Sequence, residues 1–397
     1  MLRKSRTLPG IERGFCFSIF RSGKQRKEAW GIPPDGQAST QSLNIERTKL
    51  TDEHNHIYEL CSKQWNGSGS GIARQQVALI GATGETGKSI LNGLIHDGSF
   101  DITIIVRPQS LSKPSTKALA DRGFPILPIG ASTDVDPSLL RPFTTIISCV
   151  DNLGYHDQTR LAVAAKAASV QRFVPCGFTS ICPPSGIMEL RDRKEAAYND
   201  ILKLKLGYTI IDVGTWHQFA YPRIPSERLD YSFLAIGPQK AHVYGDGTAK
   251  ILLTDLRDIG RFVARVVRDP RTLDKKVFTW SDELSQLECF SIVEKLTGET
   301  IERTQVPLSD IVDAVRRARE VDAVEKPQTL DATAQELQWQ EYLLSKYVRE
   351  DNTRENALYL GYLDAKELYP DFVPISFEDT IKEALDGNAV KLYEGRF

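Results

Sequence analysis

The apolar positions of this chain keep two different rhythms, and the change falls near residue 75. Val77-Ala78-Leu79-Ile80 is a short apolar run stopped by Gly81, as a strand buried on both faces of a parallel sheet would be. Residues 85–96 read as a helix, and Ile102-Thr103-Ile104-Ile105-Val106 as a second buried strand. Further strands are expected at 125–129, 145–149, 172–174 and 208–213, with helices at 157–169 and 189–206 among them. Strand and helix alternating at this spacing imply right-handed crossovers and a parallel sheet covered on both faces.

The second half is less regular. Residues 241–244 and 251–253 flank Gly245-Asp246-Gly247 and are expected to pair as a hairpin. A helix over 258–268 and a strand over 276–279 follow, and the last hundred residues read mainly as amphipathic helices. Trp339, Tyr342, Tyr347, Tyr359 and Tyr362 on these helices are read as core rather than ligand contacts, because buried aromatics mostly pack. The expected architecture is a doubly wound, Rossmann-type α/β domain over 74–235. A smaller, mainly helical lid over 236–397 would close on the carboxyl ends of the strands and return elements to the sheet.

Residues 1–73 lack this order. They are rich in Lys, Arg, Ser, Gly and Gln and end in Asn66-Gly67-Ser68-Gly69-Ser70-Gly71, a flexible-linker composition. We read them as a disordered or loosely attached extension. Arg3, Lys4, Arg6 and Arg13 suggest an organellar presequence, but Glu12 and Glu28 run against it and no apolar secretory core is present.

Charge and cysteine content narrow the function. Fifty Lys and Arg against 52 Asp and Glu leave a net charge of −2, without the electrostatic footprint of a nucleic-acid binder. No apolar run approaches the roughly 18–20 residues of a membrane-spanning helix. The six cysteines form no C-x-x-C or Cys/His cluster of zinc spacing, so neither a disulfide scaffold nor a metal site is expected. A reducing, cytoplasmic setting is expected, for a monomer or homodimer acting on a small molecule.

The strongest chemical signal is Gly81-Ala82-Thr83-Gly84-Glu85-Thr86-Gly87, a G-x-x-G-x-x-G run that leaves a strand and opens a helix. Gly81 allows the tight turn, Gly84 lets backbone approach a pyrophosphate, and Gly87 lets the helix pack on the strand. Lys88 and Ser89 invite a P-loop reading that the glycine spacing does not meet. The second strand ends at Arg107, about twenty residues past the last glycine, where an NAD site usually carries Asp or Glu. An arginine there suits a 2′-phosphate, so NADPH is the expected cofactor, with Ser110 and Lys113 as possible helpers.

Other candidates follow from the sheet topology. Ser148, Cys149 and Val150 end the fourth strand, and Pro175, Cys176, Gly177 and Phe178 follow the fifth. Both groups should lie beside a dinucleotide, with Phe178 against the nicotinamide. Cys176 reads as a packed small side chain, since no partnered His follows it. Trp216, His217 and Tyr221 follow the sixth strand and Tyr155 and His156 the fourth. These are the candidates for the substrate pocket. His217 is open between proton donor and hydrogen-bonded structural histidine.

With these residues placed, the chain resembles the NmrA-like and isoflavone-reductase-like branch of atypical short-chain dehydrogenases. The likeness spans roughly 75–268, and it is closest to fungal oxidoreductases carrying segments like Val174-Pro175-Cys176-Gly177-Phe178-Thr179 and Leu190-Arg191-Asp192-Arg193-Lys194-Glu195. It implies an NADPH-dependent reductase of aromatic, phenolic or polyketide-like small molecules, with Lys194 as the catalytic residue. Taken alone, a lysine between Arg193 and Glu195 reads as a solvated helix face. Leu190 stands where the usual Tyr-x-x-x-Lys pair would place its tyrosine, so the proton donor is left open. Two other readings stay open: a non-catalytic NADP(H) sensor like the family's namesake, and an epimerase that passes hydride out and back.

Overall fold

The run that stops at Gly81 is strand β1 (Gln75–Ile80). After it come β2 (Phe100–Val106), β3 (Ile126–Pro128), β4 (Thr145–Ser148) and β5 (Arg172–Val174), all parallel in the order β3-β2-β1-β4-β5. This computed structural model describes residues 74–130, 135–150, 154–232, 241–325, 332–389 and 391–393. The expected loose extension over 1–73 therefore lies outside the described residues. Later strands are β6 (Thr209–Asp212), β7 (Thr215–Trp216), β8 (Ala241–Tyr244), β9 (Lys250–Thr254), β10 (Lys275–Phe278), β11 (Asp282–Ser285), β12 (Arg303–Val306) and β13 (Tyr362–Asp364). A single parallel bridge between Phe173 and Tyr208 joins β5 to β6, and β10 and β13 continue in parallel beyond β6.

The helices are α1 (Glu85–Asp97), α2 (Pro114–Asp121), α3 (Tyr155–Ala167), α4 (Glu189–Lys203), α5 (Leu256–Arg268), α6 (Gln286–Thr297), α7 (Leu308–Glu325) and α8 (Ala332–Leu343). Three shorter ones follow: α9 (Arg354–Tyr359), α10 (Ala365–Leu368) and α11 (Phe377–Leu385). Alternate strand residues feed two cores, as period two requires. Val77, Leu79 and Ile104 pack with Ile90, Leu94, Phe262 and Val263 of α1 and α5. Ala78, Ile105 and Ile146 face Leu161, Ala162 and Ala165 of α3. The expected doubly wound α/β arrangement is thus present. Among the described residues no helix is long and apolar enough to cross a membrane.

The expected hairpin around Gly245-Asp246-Gly247 does not form. β8 pairs in parallel with β12, whereas β9 pairs antiparallel with β11 and parallel with β7. Gly245 and Gly247 do turn the chain, at φ 63° and 79°. Gly247 N–H closes the turn on Tyr244 O (3.1 Å), but Gly245 N–H donates to Val306 O and Leu287 N–H to Gly247 O, so the flanking chain is held by β12 and α6 and not by its own cross-strand bonds. The last hundred residues also contain β12 and β13, which the helical reading did not anticipate. A third core, centred on Val243, Tyr244, Phe290, Ile311, Leu343 and Phe377, belongs to this half.

Two contacts fix the helices. α1 and α5 meet backbone to backbone: a Cβ on Gly260 would lie 1.8 Å from Ser89 O, and one on Gly93 2.1 Å from the Gly260 carbonyl. Ser89 Oγ donates to Leu256 O (2.5 Å) and accepts from Gly260 N (2.9 Å). On α4 a stripe of Arg191, Lys194, Ala197, Tyr198 and Ile201 is buried, the spacing of one helix face. Arg191 donates to Asp212 Oδ2 (2.9 Å) and Ser180 O (2.6 Å), and Tyr362 donates to the same carboxylate oxygen (2.7 Å).

Because carbonyls on rigid backbone face Gly260, Gly260→Ala should force α1 and α5 apart. A loss of about 1–3 kcal/mol in unfolding free energy is expected, checked by denaturant titration, and an unchanged midpoint would contradict this packing.

Candidate active site

The glycine run forms the loop between β1 and α1. Gly81 has φ 78°, and a Cβ there would lie 2.2 Å from Cys149 O. A Cβ on Gly87 would lie 2.0 Å from Gly81 O, so these two glycines are required by the protein's own packing. Gly84 differs: its Cβ would meet only Gly81 O, at 3.5 Å, and the space beyond is open. Gly84 N–H donates to Gly81 O (3.0 Å) and caps α1. The first-turn carboxylate, Glu85, is buried and takes a bond from Lys88 Nζ at 3.2 Å.

This loop is one end of a cavity of about 1480 Å³ that runs along the carboxyl ends of the strands. All seven residues Gly81, Ala82, Thr83, Gly84, Glu85, Thr86 and Gly87 line it, as do Arg107, Ser110 and Lys113 beyond β2. Ser148, Cys149 and Val150 line it after β4, Cys176, Gly177 and Phe178 after β5, and Lys194 from α4. Trp216 and Tyr221 form part of the wall. The structure thus brings most of the sequence candidates to one cavity. Pro175 and His217 are not among the lining residues. Tyr155 and His156 open α3, but their side chains lie outside the described ones.

Lys194 is not a solvated surface lysine. It is 4% exposed, and its Nζ donates to Cys176 O and Gly177 O, both at 2.8 Å. The carbonyls leaving β5 therefore hold the ammonium at the cavity wall, and the ammonium in turn holds the loop. Phe178 follows with φ 50° and is itself buried. Cys176 packs with its Sγ 3.2 Å from Val150 O, and burial pushes the neighbouring Cys149 thiol well above its usual pKa. No sequence motif marks Gln158 on α3, whose Oε1 accepts from Cys176 N at 2.7 Å. Gln158 Nε2 and Ser148 Oγ are buried on this wall without a hydrogen-bond partner among the described residues. Nothing local in the sequence separates Gln158 from a surface glutamine of an ordinary helix.

Comparison with known proteins bears on this geometry. Residues 73–337 match the NmrA-like family. The chain belongs to the NmrA-like family. It is 38% identical over 315 residues to the asnovolin J 5′,6′-dehydrogenase of Aspergillus novofumigatus, spanning 78% of this chain and 95% of that protein. It is 28% identical over 262 residues to pinoresinol reductase 1 of Arabidopsis thaliana, spanning 60% and 80%. Among solved structures it is similar in fold to the NADPH complex of leucoanthocyanidin reductase from Vitis vinifera. The TM-score is 0.64 at 21% identity, over 78% of this chain and 99% of that one. The family resemblance drawn from the glycine run and the segments around Cys176 and Lys194 is borne out.

In this NmrA-like chain His217 belongs to a buried network that ties the turn after β7 to α11. Its Nδ1 lies 2.7 Å from Thr380 Oγ1 and its Nε2 2.7 Å from Ser281 Oγ, with the side chain fully buried. Thr380 gives its hydroxyl proton to Asp255 Oδ2 (2.8 Å), so it accepts from His217, which assigns the Nδ1–H tautomer. In the neutral ring Nε2 is then the acceptor for the Ser281 hydroxyl, which also lies 3.1 Å from Leu253 O. Burial outweighs the pull of Asp255 and Asp282 and lowers the His217 pKa to about 4. Unfolded, the ring titrates near the ordinary histidine value of 6.5, so between the two values the unfolded chain binds the extra proton. Stability from this group is full above pH 6.5 and lost as pH falls towards 4, by up to about 3 kcal/mol. Asp258, pushed up to about 6 by burial, adds an opposing slope over the same window, so the check is the difference between proteins: from pH 6.5 to 5 the Tm of the full chain should fall more, or rise less, than that of His217→Gln. An equal slope in both proteins would refute the assignment.

Proposed function

We propose that this chain is an NADPH-dependent reductase of an aromatic, phenolic or polyketide-like small molecule. The observation that carries the reading is that one cavity joins the Gly81–Gly87 loop and Arg107 to the buried ammonium of Lys194. NADPH, when bound, supplies a hydride. The free N–H groups of the α1 N-terminus and the open space beside Gly84 suit a pyrophosphate. Arg107, exposed at the cavity edge with Ser110 and Lys113, suits the 2′-phosphate. Ser148 Oγ and Gln158 Nε2, buried and without partners among the described residues, suit polar atoms of the cofactor. The relatives named above, a pinoresinol reductase, an asnovolin J dehydrogenase and a reductase solved with NADPH, support the same class.

In this reading residues 74–235 hold the cofactor and 236–397 supply most of the substrate wall, including Trp339 and Tyr342. Lys194 stabilises the oxygen on which negative charge develops during reduction of a carbonyl or conjugated alkene. Two of its donors are already fixed on carbonyls, so the charge needs little reorganisation.

Two measurements test this. NADPH should bind at least about tenfold more tightly than NADH, and Arg107→Ala should remove that preference, as loss of a charged hydrogen bond would. Equal affinity for both cofactors in the unmodified protein would sink the assignment. Against a panel of aromatic ketones, quinones and phenolic ethers, Lys194→Ala should lower kcat by roughly 10² or more, with a smaller change in NADPH affinity. Full activity in that variant would remove Lys194 from the chemistry. NADPH binding without turnover in either protein would favour the sensor reading.

A further inference from the structure

The helix α8 does not end in an ordinary cap. It runs into a π-helical turn, Leu344–Val348, a local widening of the kind found often at functional sites because it re-aims one side chain. This turn is locked from behind. Ser345 donates to Asp351 Oδ2 (2.9 Å), Arg349 Nε to the same oxygen (3.0 Å), and Leu252 N of β9 to Asn352 O (2.8 Å).

The side chain so placed is Lys346. It lines the cavity yet is only 5% exposed. Its Nζ lies 5.7 Å from the ring centre of Tyr342 and 5.5 Å from that of Tyr347, and Tyr347 stacks at 5.0 Å on Tyr244 of β8. Among the described residues no carboxylate pairs with it. Burial alone lowers its pKa, to about 8. A buried ammonium without a paired carboxylate among the described residues is costly unless a counter-charge arrives. The cavity that it lines gives such a charge access. The site also adjoins the proposed hydride-transfer end. Tyr342 Oη is 2.7 Å from Thr179 Oγ1, two residues beyond Gly177, whose carbonyl holds Lys194.

We propose that Lys346, flanked by Tyr342 and Tyr347, is a substrate subsite for a flat conjugated ring bearing an acidic oxygen, a phenolate or the enolate of a 1,3-dicarbonyl. Aromatic faces take the ring and the ammonium takes the oxygen, which orients the substrate against the opposite wall. This deepens the reductase reading and rests on it for the identity of the opposite wall. The charge complement rests on Lys346 alone.

The test uses the full chain and 4-nitrophenol, whose visible band separates phenolate from phenol, at a pH where the free probe is mostly protonated. Binding should draw the probe into its phenolate form. Lys346→Met, which keeps the length of the side chain and removes the charge, should abolish that band and weaken binding about tenfold or more, the scale of a lost charged hydrogen bond. Lys346→Arg should retain part of both effects. The neutral ether 4-nitroanisole should bind both proteins equally. Equal binding of phenol and ether to the unmodified protein, or a phenolate band surviving in Lys346→Met, would overturn the proposal. Tighter binding of 4-nitrobenzoate than of 4-nitrophenol would overturn the phenolate and enolate class in favour of carboxylates. NADPH affinity should be unchanged in Lys346→Met. Its absence from the unmodified protein would sink the reductase reading while leaving the probe result intact.

Discussion

The ion pair of Arg191 with Asp212 is the constraint on which the site hangs. Both side chains are at most 1% exposed, and a carboxylate oxygen shared with Tyr362 joins α4, β6 and β13 at one point. Removing one partner of such a pair leaves a buried charge and costs about 3–5 kcal/mol. Arg191 also takes hold of Ser180 O, so the loop after β5 is clamped by the same guanidinium. One helical turn further, on the same face, Lys194 reaches Cys176 O and Gly177 O. The rotational setting of α4 is therefore decided by Arg191, and the position of the Lys194 ammonium follows from it.

The opposite wall is tied to this frame by a second set of bonds. Glu341 at the end of α8 accepts from Glu189 N (2.7 Å) and from Arg319 Nε (2.9 Å). A carboxylate from one half thus meets the N-terminus of the helix that carries Lys194, where the helix dipole favours negative charge. Arg319 also donates to Ile187 O, at 2.8 Å. The cavity is bounded by elements that hydrogen-bond to one another across it, which keeps its two walls in register.

How much of this could be read from residues alone varies with the kind of signal. The five parallel strands and the helices α1, α3 and α4 were legible because short apolar stretches alternate with helical ones, and the glycine run because three glycines recur at a fixed spacing; α2, from Pro114, was not read. β11, β12 and β13 were not: Asp282-Glu283-Leu284-Ser285 and Arg303-Thr304-Gln305-Val306 are largely polar, and β13 has three residues. Their pairing is set by distant partners. The hairpin expectation failed for the same reason, since Gly245 and Gly247 specify a turn but not which strands flank it. Lys194 looked solvated beside Arg193 because its burial depends on carbonyls 17 and 18 residues earlier. Lys346 did leave a trace, a lone cation between Leu343-Leu344 and Tyr347-Val348, but the aromatic residues around it were read as plain core.

The backbone contact between α1 and α5 has a consequence for how the chain is made. Ser89 and Leu256, joined by a hydrogen bond, are 167 residues apart. During synthesis at roughly 5–20 residues per second, α1 leaves the ribosome on the order of ten to thirty seconds before the helix that covers it. Through that interval Ile90, Leu91 and Leu94 lack the partners they have in the finished core. The glycine loop at the head of α1 is thus made well before the helix that buttresses it, and the apolar face of α1 stays uncovered by α5 over this interval.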